Sequence, residues 1–360
     1  MTPVSIPVPL AGSPASVRRP ENRGGVLIAI SERERADFLP FLPPDGGPSI
    51  PGARGVAWFD SKRGSAEDWT AVLREFRPEV LVSCWTTPPL PADAADRPDL
   101  RYVCHLTGSV RRLVPRAFIE NGGLVSNWGD AVSPQVAEHA LLLALLALRN
   151  GARWRGYIRD LGPTHANPSM VLDTRTLFGR RVGLHGFGRV ARALVGLLKP
   201  FGAEVSAWSE GVPTDFIRSH GVRPCASLRE LFSGSEVLIE CEALTPQNAG
   251  SVDAAALAAL PDGAVFVNVG RGAVVDEAAL EREAASGRLR IALDVVKEEP
   301  MTSASAIFAH ESALFSPHIA GPTADRYQDC GRFALDNVAR YLAGRPVLAQ
   351  ITLADYDRST

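Results

Sequence analysis

From residue 25 onward, short apolar runs alternate with polar segments that can form helices, a pattern typical of parallel strands joined by helices. The first series contains four runs: GVLIAI (25–30), VAWFD (56–60), EVLVSCW (79–85) and LRYVCHL (100–106). The second contains six: RRVGLHGFG (180–188), AEVSAWS (203–209), EVLIECE (236–242), AVFVNVG (264–270), RIALDVV (290–296) and ALFSP (313–317). Such runs suit strands that are buried on both faces. We therefore predict an α/β protein with two doubly wound parallel-sheet domains.

The segments between the runs predict helices, and the helix within residues 129–150 is the most apolar of them. Ser133 is its expected N-cap and Pro134 its first helical residue. Because this helix is apolar nearly all round, we expect it to be buried in a core or against a partner chain. Residues 151–178 have weak periodicity and predict an irregular connector. Further helices are predicted at 66–76, 189–199, 227–232, 253–260, 276–286 and 324–343.

These patterns also predict where the domains begin and end. The Pro-, Ser- and Gly-containing stretch 1–24 predicts a disordered tail, and it lacks the basic start and apolar core of a signal peptide. One domain is expected to combine residues 25–129 with 325–350, and the other to span 130–324.

The amino-acid composition argues against several classes of function. The chain has 38 basic and 40 acidic side chains without a charge block, so nothing predicts a nucleic-acid or membrane partner. Its longest apolar run, 140–148, is too short to span a bilayer. The five cysteines are odd in number and contain no C-x-x-C pair, so we expect neither a disulfide framework nor a metal site. A cytoplasmic location follows as the default.

The strand at 180–185 leads into the pattern G-x-G-x-x-A, which predicts a dinucleotide-binding loop. Gly186 permits the tight turn, Gly188 lets the backbone approach a pyrophosphate, and Ala191 lets helix and strand pack closely. The helix that follows offers free N–H groups to the phosphates. An ordinary glycine-rich turn is the alternative, but the strand–loop–helix context favours nucleotide binding.

The choice between NAD and NADP is open at this point. Ser209 occupies the strand-end position that NAD enzymes commonly fill with Asp, and Glu210 follows it. Either Glu210 reaches the ribose hydroxyls, or Ser209 leaves room for a 2′-phosphate that Arg189 could help to bind. No second basic residue follows Ser209, so we expect NAD, with NADP as the alternative.

Three residues beyond the ends of successive strands form a candidate catalytic set: Arg271, Glu299 and His318. Reduction of a 2-keto acid needs a cation for the carboxylate and ketone, a proton donor, and a carboxylate that orients the donor and raises its pKa. Each residue alone is more typical of a surface charge or a turn. Their occurrence together after a nucleotide loop favours catalysis. The remaining histidines (105, 139, 165, 185, 220 and 310) are interpreted as structural, except that His105 lies near a candidate substrate loop.

The segments V-N-V-G-R-G-A-V-V-D (267–276), L-D-V-V-K-E-E-P (293–300) and P-H-I-A-G (317–321) resemble those of the D-isomer-specific 2-hydroxyacid dehydrogenases. The resemblance implies a Rossmann-type cofactor domain, a split flavodoxin-like substrate domain and a homodimer. It assigns substrate binding to Arg271, support of the base to Glu299 and acid/base catalysis to His318. Formate dehydrogenases, which look similar overall, carry Gln where this chain has Glu299. The candidate cofactor-binding set is Gly186, Gly188, Arg189, Val190, Ser209, Glu210, Thr245, Val269, Gly270 and Asp294, of which Asp294 is expected to bond the nicotinamide amide.

Two segments depart from the family pattern. The substrate loop reads H-L-T-G-S-V-R-R (105–112), so Gly108 and Ser109 are candidate carboxylate binders, and Arg111 and Arg112 replace an acidic pair. The arginines either favour a substrate with a second anionic group or face solvent. The second departure is C-E-A-L-T-P (241–246), which leaves the adenine-side contacts open. Alternative functions are a non-catalytic, NAD-responsive corepressor-like protein and a dehydrogenase of another small anion such as phosphite.

Overall fold

The computed structural model describes residues 25–42, 50–97, 99–161, 167–301, 305–310 and 312–358. The predicted tail at 1–24 lies outside the described residues. The chain divides into two compact units. The flanking unit runs to Val132 and resumes at Ala324, and the central unit spans Ser133–Thr323.

The flanking unit contains one parallel sheet in the order β2-β1-β3-β4-β5, which is the flavodoxin-like order. Its strands are β1 (Gly25–Ala29), β2 (Gly55–Phe59), β3 (Val80–Ser83), β4 (Tyr102–His105) and β5 (Leu124–Ser126). The expected number of strands was wrong, because β5 has three residues and is too short to produce an apolar run.

The central unit contains a seven-stranded parallel sheet in the order β12-β11-β10-β9-β6-β7-β8. Its strands are β6 (Arg181–His185), β7 (Glu204–Trp208), β8 (Arg223–Pro224), β9 (Val237–Glu240), β10 (Val265–Asn268), β11 (Arg290–Leu293) and β12 (Leu314–Phe315). The order reverses between β6 and β9, as in doubly wound nucleotide-binding sheets. The predicted fold class is confirmed, but six strands was one too few, since the two-residue β8 shows no apolar run.

The helices are α1 (Glu32–Phe38), α2 (Ala66–Phe76), α3 (Arg116–Glu120), α4 (Ser133–Leu148), α5 (Trp154–Leu161), α6 (Pro168–Val171), α7 (Arg189–Leu198), α8 (Thr214–Ser219), α9 (Leu228–Gly234), α10 (Ala254–Ala259), α11 (Glu277–Ser286), α12 (Tyr327–Leu342) and α13 (Leu353–Arg358). Local signals explain several boundaries: Ser65 and Asp68 form a capping box before α2, and Asp276 caps α11. The irregular connector expected at 151–178 was wrong in part, because α5 and α6 lie within it. Ser133 is the first helical residue of α4 rather than its N-cap.

Helices cover both faces of the central sheet. On one face α4 and α7 contribute small and branched side chains, among them Ala140, Ala144 and Leu194, to one apolar cluster. On the other face α9, α10 and α11 contribute Leu231, Leu257 and others to a second cluster. In the part of the chain that the structure describes, no helix is long and apolar enough to cross a bilayer. These layers leave the carboxyl ends of the strands as the edge where loops with functional side chains meet.

Candidate active site

The loops that follow β10, β11 and β12 bring the candidate catalytic residues to one edge of the central sheet. The register places Asn268, Leu293 and Phe315 in one row across these neighbouring strands. Arg271 lies three residues beyond that row on one loop, and His318 lies three residues beyond it on another. The sheet therefore brings three segments that are distant in the sequence to the same edge.

Close packing fixes the loop that carries Arg271. A Cβ on Gly272 would lie 1.9 Å from the carbonyl carbon of Val296, and one on Gly270 would lie 2.9 Å from the carbonyl oxygen of Glu242. The buried Asn268 side chain accepts a hydrogen bond from the Gly270 N–H at 3.0 Å and donates to the Arg271 carbonyl at 3.2 Å. The two glycines that flank Arg271 are thus required by the neighbouring strand ends.

The imidazole of His318 is paired with the carboxylate of Glu299. Nδ1 of His318 lies 2.6 Å from Oε2 of Glu299, and about half of the His318 side chain is exposed. His318 has a φ of +53°, in the left-handed region that side chains rarely adopt. Such strain, typically about 1–3 kcal/mol, persists where surrounding contacts impose it, and it clusters at functional sites.

Asp294 supplies the contacts that hold the His318 loop. Its two carboxylate oxygens accept hydrogen bonds from the Ser316 hydroxyl at 2.6 Å, the Ile319 N–H at 2.9 Å and the Ala320 N–H at 3.0 Å. Burial raises the pKa of Asp294, but hydrogen bonds from His139, Ser316 and the two N–H groups outweigh it, so this pKa lies below its usual value. The predicted nicotinamide contact of Asp294 stays a prediction.

From the sequence, His139 is interpreted as structural. In the structure it contacts the residues that hold the His318 loop. It projects from α4, and its Nε2 lies 2.8 Å from the Ser316 hydroxyl and 3.4 Å from Oδ1 of Asp294. Because Ser316 donates its proton to Asp294, Nε2 of His139 must be the donor in its own bond to Ser316. Through His139, α4 therefore helps to hold the loop that carries His318.

Arg271 is a half-buried cation. Burial lowers the pKa of its guanidinium, and the negative charge of Glu299 raises it, which shows that the two groups influence one another. One guanidinium nitrogen also donates to the carbonyl of Gly270 at 2.8 Å. An arginine remains charged under such conditions, so the site offers a fixed positive charge beside the His318–Glu299 pair.

The glycine-rich loop fits a dinucleotide pyrophosphate. Gly186 has a φ of +92°, and a Cβ there would lie 2.6 Å from the Glu242 nitrogen. A Cβ on Gly188 would meet nothing within 4 Å, so the loop presents open backbone at the start of the ten-residue α7. Ala191 is fully buried beneath it. This cradle of backbone N–H groups at a helix N-terminus suits an anion.

Beside this loop, the strand-end residues do not follow the expected arrangement. The Ser209 hydroxyl donates to Oε2 of Glu242 at 2.5 Å, whereas Glu210 is exposed. His185, at the end of β6, pairs with the fully buried carboxylate of Glu240. Burial lowers the pKa of His185, but the charges of Glu240 and Glu242 and the hydrogen bond to Glu240 raise it above its usual value. The interpretation of His185 as structural stays a prediction, and its buried pair with Glu240 lies at the end of β6.

The candidate substrate loop lies in the flanking unit, after β4. Gly108 and Ser109 are half-buried, and the Gly108 carbonyl accepts a hydrogen bond from Asn127 at 2.8 Å. Arg111 and Arg112 are both exposed, and the Arg111 guanidinium lies 5.8 Å from the centre of the Tyr356 ring. These contacts define the loop locally, and its role in substrate binding stays a prediction.

Comparison with known proteins agrees with this geometry. Residues 141–320 match the model for the NAD binding domain of the D-isomer specific 2-hydroxyacid dehydrogenases. A (S)-sulfolactate dehydrogenase from Chromohalobacter salexigens is 32% identical over 251 residues, which are 69% of this chain and 79% of that protein. This chain belongs to the D-isomer specific 2-hydroxyacid dehydrogenase family.

Other members of the family differ in length. A D-3-phosphoglycerate dehydrogenase from Mycobacterium leprae is 30% identical over 69% of this chain, but the match covers 46% of that relative. The chain thus spans about half the length of such relatives. The crystal structure of D-mandelate dehydrogenase from Rhodotorula graminis superposes with a TM-score of 0.74 at 19% identity and covers 91% of this chain and 98% of that one. This likeness establishes a shared fold.

The family motifs led directly to Arg271, Glu299 and His318, but two functional candidates lay outside them. Glu242 was visible only as part of a departure from the family pattern, and His139 carried no motif at all. Both depend on contacts between segments at least 33 residues apart. A polar residue one or two positions past a buried strand was the available signal for Glu242.

Proposed function

We propose that this protein transfers a hydride between a nicotinamide dinucleotide and a small 2-hydroxy or 2-keto acid. The observation that carries the proposal is the His318–Glu299 pair, 2.6 Å apart and beside the half-buried Arg271, within the NAD binding domain of this family. A cation, a proton donor and an orienting carboxylate are what this reaction needs from the protein.

In the direction of reduction, Arg271 binds the substrate carboxylate and polarises the ketone, because its planar fork can contact two oxygens. His318 gives a proton to the developing alkoxide from Nε2, since Nδ1 faces Glu299. Glu299 holds the imidazole in that orientation through its contact with Nδ1. When bound, the nicotinamide supplies the hydride.

We assign cofactor binding to two groups of residues. The Gly186–Gly188 loop and the start of α7, with Arg189 and Val190, receive the pyrophosphate. Val269, Gly270 and Asp294 line the nicotinamide side. Thr245 belongs to the cofactor loop after β9, where its hydroxyl accepts a hydrogen bond from the Asn248 N–H at 3.2 Å and fixes the turn.

We further propose that the substrate carries a second anionic group. Two relatives bear names with such substrates, a phosphoglycerate and a sulfolactate. Gly108 and Ser109 are the proposed carboxylate binders, and Arg111 or Arg112 provides the charge for the second anion. Arg112 is the stronger candidate of the two, because Arg111 already lies against Tyr356.

The test is oxidation of NADH and NADPH by the purified protein with a panel of 2-keto acids. The panel contains glyoxylate, hydroxypyruvate, pyruvate, 2-ketoglutarate, oxaloacetate and phosphonopyruvate. We expect turnover that favours the doubly charged acids, a loss of at least about a hundredfold in His318→Ala, and a loss of roughly 10–100-fold in Glu299→Gln. Turnover that survives in His318→Ala would refute the assigned chemistry.

Nucleotide binding without turnover of any acid would instead favour the corepressor-like function or a different anion such as phosphite. Oxidation of phosphite in the reverse assay separates these two outcomes. A preference for singly charged acids would refute the second-anion proposal alone.

We also propose a homodimer and a cytoplasmic location. Exposed large apolar side chains occur repeatedly in the segment from α4 to α6, which supports a second copy as the partner. All five cysteines are unpaired, as expected in a reducing compartment.

A further inference from the structure

The side chains of Ser209 and Glu242 meet across the end of β6. The register pairs His185, the last residue of β6, with Trp208 of β7 on one side and Glu240 of β9 on the other. Ser209 is one residue beyond Trp208, and Glu242 is two beyond Glu240. Their 2.5 Å hydrogen bond therefore lies at the point where the strand order reverses, directly beside the glycine-rich loop.

The backbone fixes Glu242 against that loop. A Cβ on Gly186 would lie 2.6 Å from the nitrogen and 2.7 Å from the Cα of Glu242, so the two segments are in direct contact. The Glu242 N–H donates to the Glu240 carboxylate at 2.7 Å, which holds the turn. The backbone of Glu242 is thus held in place at the sheet edge, directly beside the glycine-rich loop.

The carboxylate of Glu242 is hydrogen-bonded on both oxygens. Its two oxygens accept hydrogen bonds from neutral groups, the Ser209 hydroxyl at 2.5 Å and the Ala243 N–H at 3.0 Å. Glu240, by contrast, is paired with His185. Ser209 alone has no charge with which to recognise a ribose, but its hydroxyl orients the carboxylate of Glu242 toward the position that a strand-end Asp commonly serves.

We propose that Glu242 makes this protein selective for NAD over NADP. The inference rests on the proposed function. The carboxylate accepts a hydrogen bond from the adenosine ribose hydroxyls of NAD, and it repels the 2′-phosphate of NADP. Ser209 and Glu242 together replace the single Asp that ends the second strand in many NAD enzymes.

Two other residues at the same edge of the sheet are alternatives to Glu242 as the residue that selects between NAD and NADP. Glu210 is exposed and follows Ser209 directly, so it is the alternative ribose carboxylate. Arg189 begins α7 and is the candidate for binding a 2′-phosphate, which would make the protein selective for NADP. The three possibilities differ in which substitution changes the ratio of the two affinities.

Fluorescence titration of NADH and NADPH measures that ratio without any turnover. We expect the wild type to bind NADH at least about tenfold more tightly, and Glu242→Gln to reduce this ratio by about tenfold, as the loss of a charged hydrogen bond implies. Glu210→Gln tests the competing carboxylate and should leave the ratio unchanged if Glu242 is the selectivity residue. Because both nucleotides share the pyrophosphate and nicotinamide, general damage to the site cancels in the ratio.

Selectivity of the wild type for NADPH would overturn the inference and favour Arg189. A ratio altered by Glu210→Gln but not by Glu242→Gln would overturn it in favour of Glu210. Binding of neither nucleotide to the wild type would overturn the proposed function, and the inference with it.

Discussion

His105 shows how one buried residue sets a pH limit on the flanking unit. The residue is 3% exposed, with Nδ1 2.9 Å from the Ser83 hydroxyl and Nε2 2.6 Å from the Thr107 hydroxyl. Burial lowers the pKa of His105 to about 4, and the charge of Glu34 only partly opposes this effect. In the unfolded chain a histidine titrates near ~6.5. Between these values the unfolded state binds more protons, so stability falls as the pH decreases through this window.

We expect the titration of His105 to lower the free energy of unfolding by about 2 kcal/mol as the pH falls from 7 to 4.5. His105→Gln, which does not titrate, should lack this component. Urea unfolding followed by tryptophan fluorescence at both pH values measures it, since Trp58, Trp69, Trp85 and Trp128 lie in the flanking unit. Equal losses of stability in wild type and variant would show that other groups cause the pH dependence.

Individual residues were predictable from the sequence where a motif encodes them. Arg271 lies between two glycines that the packing requires, and His318 follows a proline in a short loop, so both carry local signals. Glu242 does not, because its partner Ser209 is 33 positions away and meets it only through the strand order β9-β6-β7. Chemistry that depends on which strands are neighbours cannot be obtained from spacing along the chain.

At the scale of elements, α4 braces the loop between β12 and His318. The Nε2–H of His139 donates to the Ser316 hydroxyl, which in turn donates to Asp294. Asp294 then holds the N–H groups of Ile319 and Ala320. This chain of hydrogen bonds imposes the left-handed backbone at His318, so His139 acts as a positioning residue.

Removal of His139 should therefore impair catalysis more than binding. We expect His139→Ala to lower kcat by roughly tenfold, in the range seen when residues that orient a catalytic group are lost, with little change in the Kd for NADH. Glu138→Ala, at an exposed position of the same helix, is the control and should leave kcat unchanged. Equal losses in kcat and NADH affinity would indicate general damage to the central unit instead.

Element lengths decided which parts of the fold the sequence could predict. Strands of four or five residues with mostly apolar side chains, such as β9 and β10, produced clear runs. The three residues of β5 and two of β8 did not, because a pattern needs more positions than such strands possess. The helix α5 was missed since its sequence, WRGYIRDL, combines aromatic, charged and glycine residues without a sustained apolar repeat.

For the whole molecule, the distribution of exposed apolar side chains bears on assembly. Leu142 on α4 is 48% exposed, and Trp154 and Ile158 on α5 are 41% and 72% exposed. Met170 and Val171 on α6 add to this set at 75% and 40%. We expected α4 to be buried in a core or against a partner chain, and Leu142 is its large apolar side chain that stays exposed in the single chain. Apolar area of this kind is costly in water unless another surface covers it.

A second copy of this chain is the proposed cover. Light scattering after size-exclusion chromatography should give twice the chain mass of 38.5 kDa. Ile158→Glu places a charge in the apolar segment and should shift the protein to the monomer, because burying an unpaired charge is strongly unfavourable. Leu348→Glu, at a site 43% exposed in the flanking unit, is the matched control and should remain dimeric. A wild type that elutes at the monomer mass would refute the dimer. A dimer unaffected by Ile158→Glu would show that the dimer contact lies outside α5. The exposed apolar side chains of α5 would then not mark the interface.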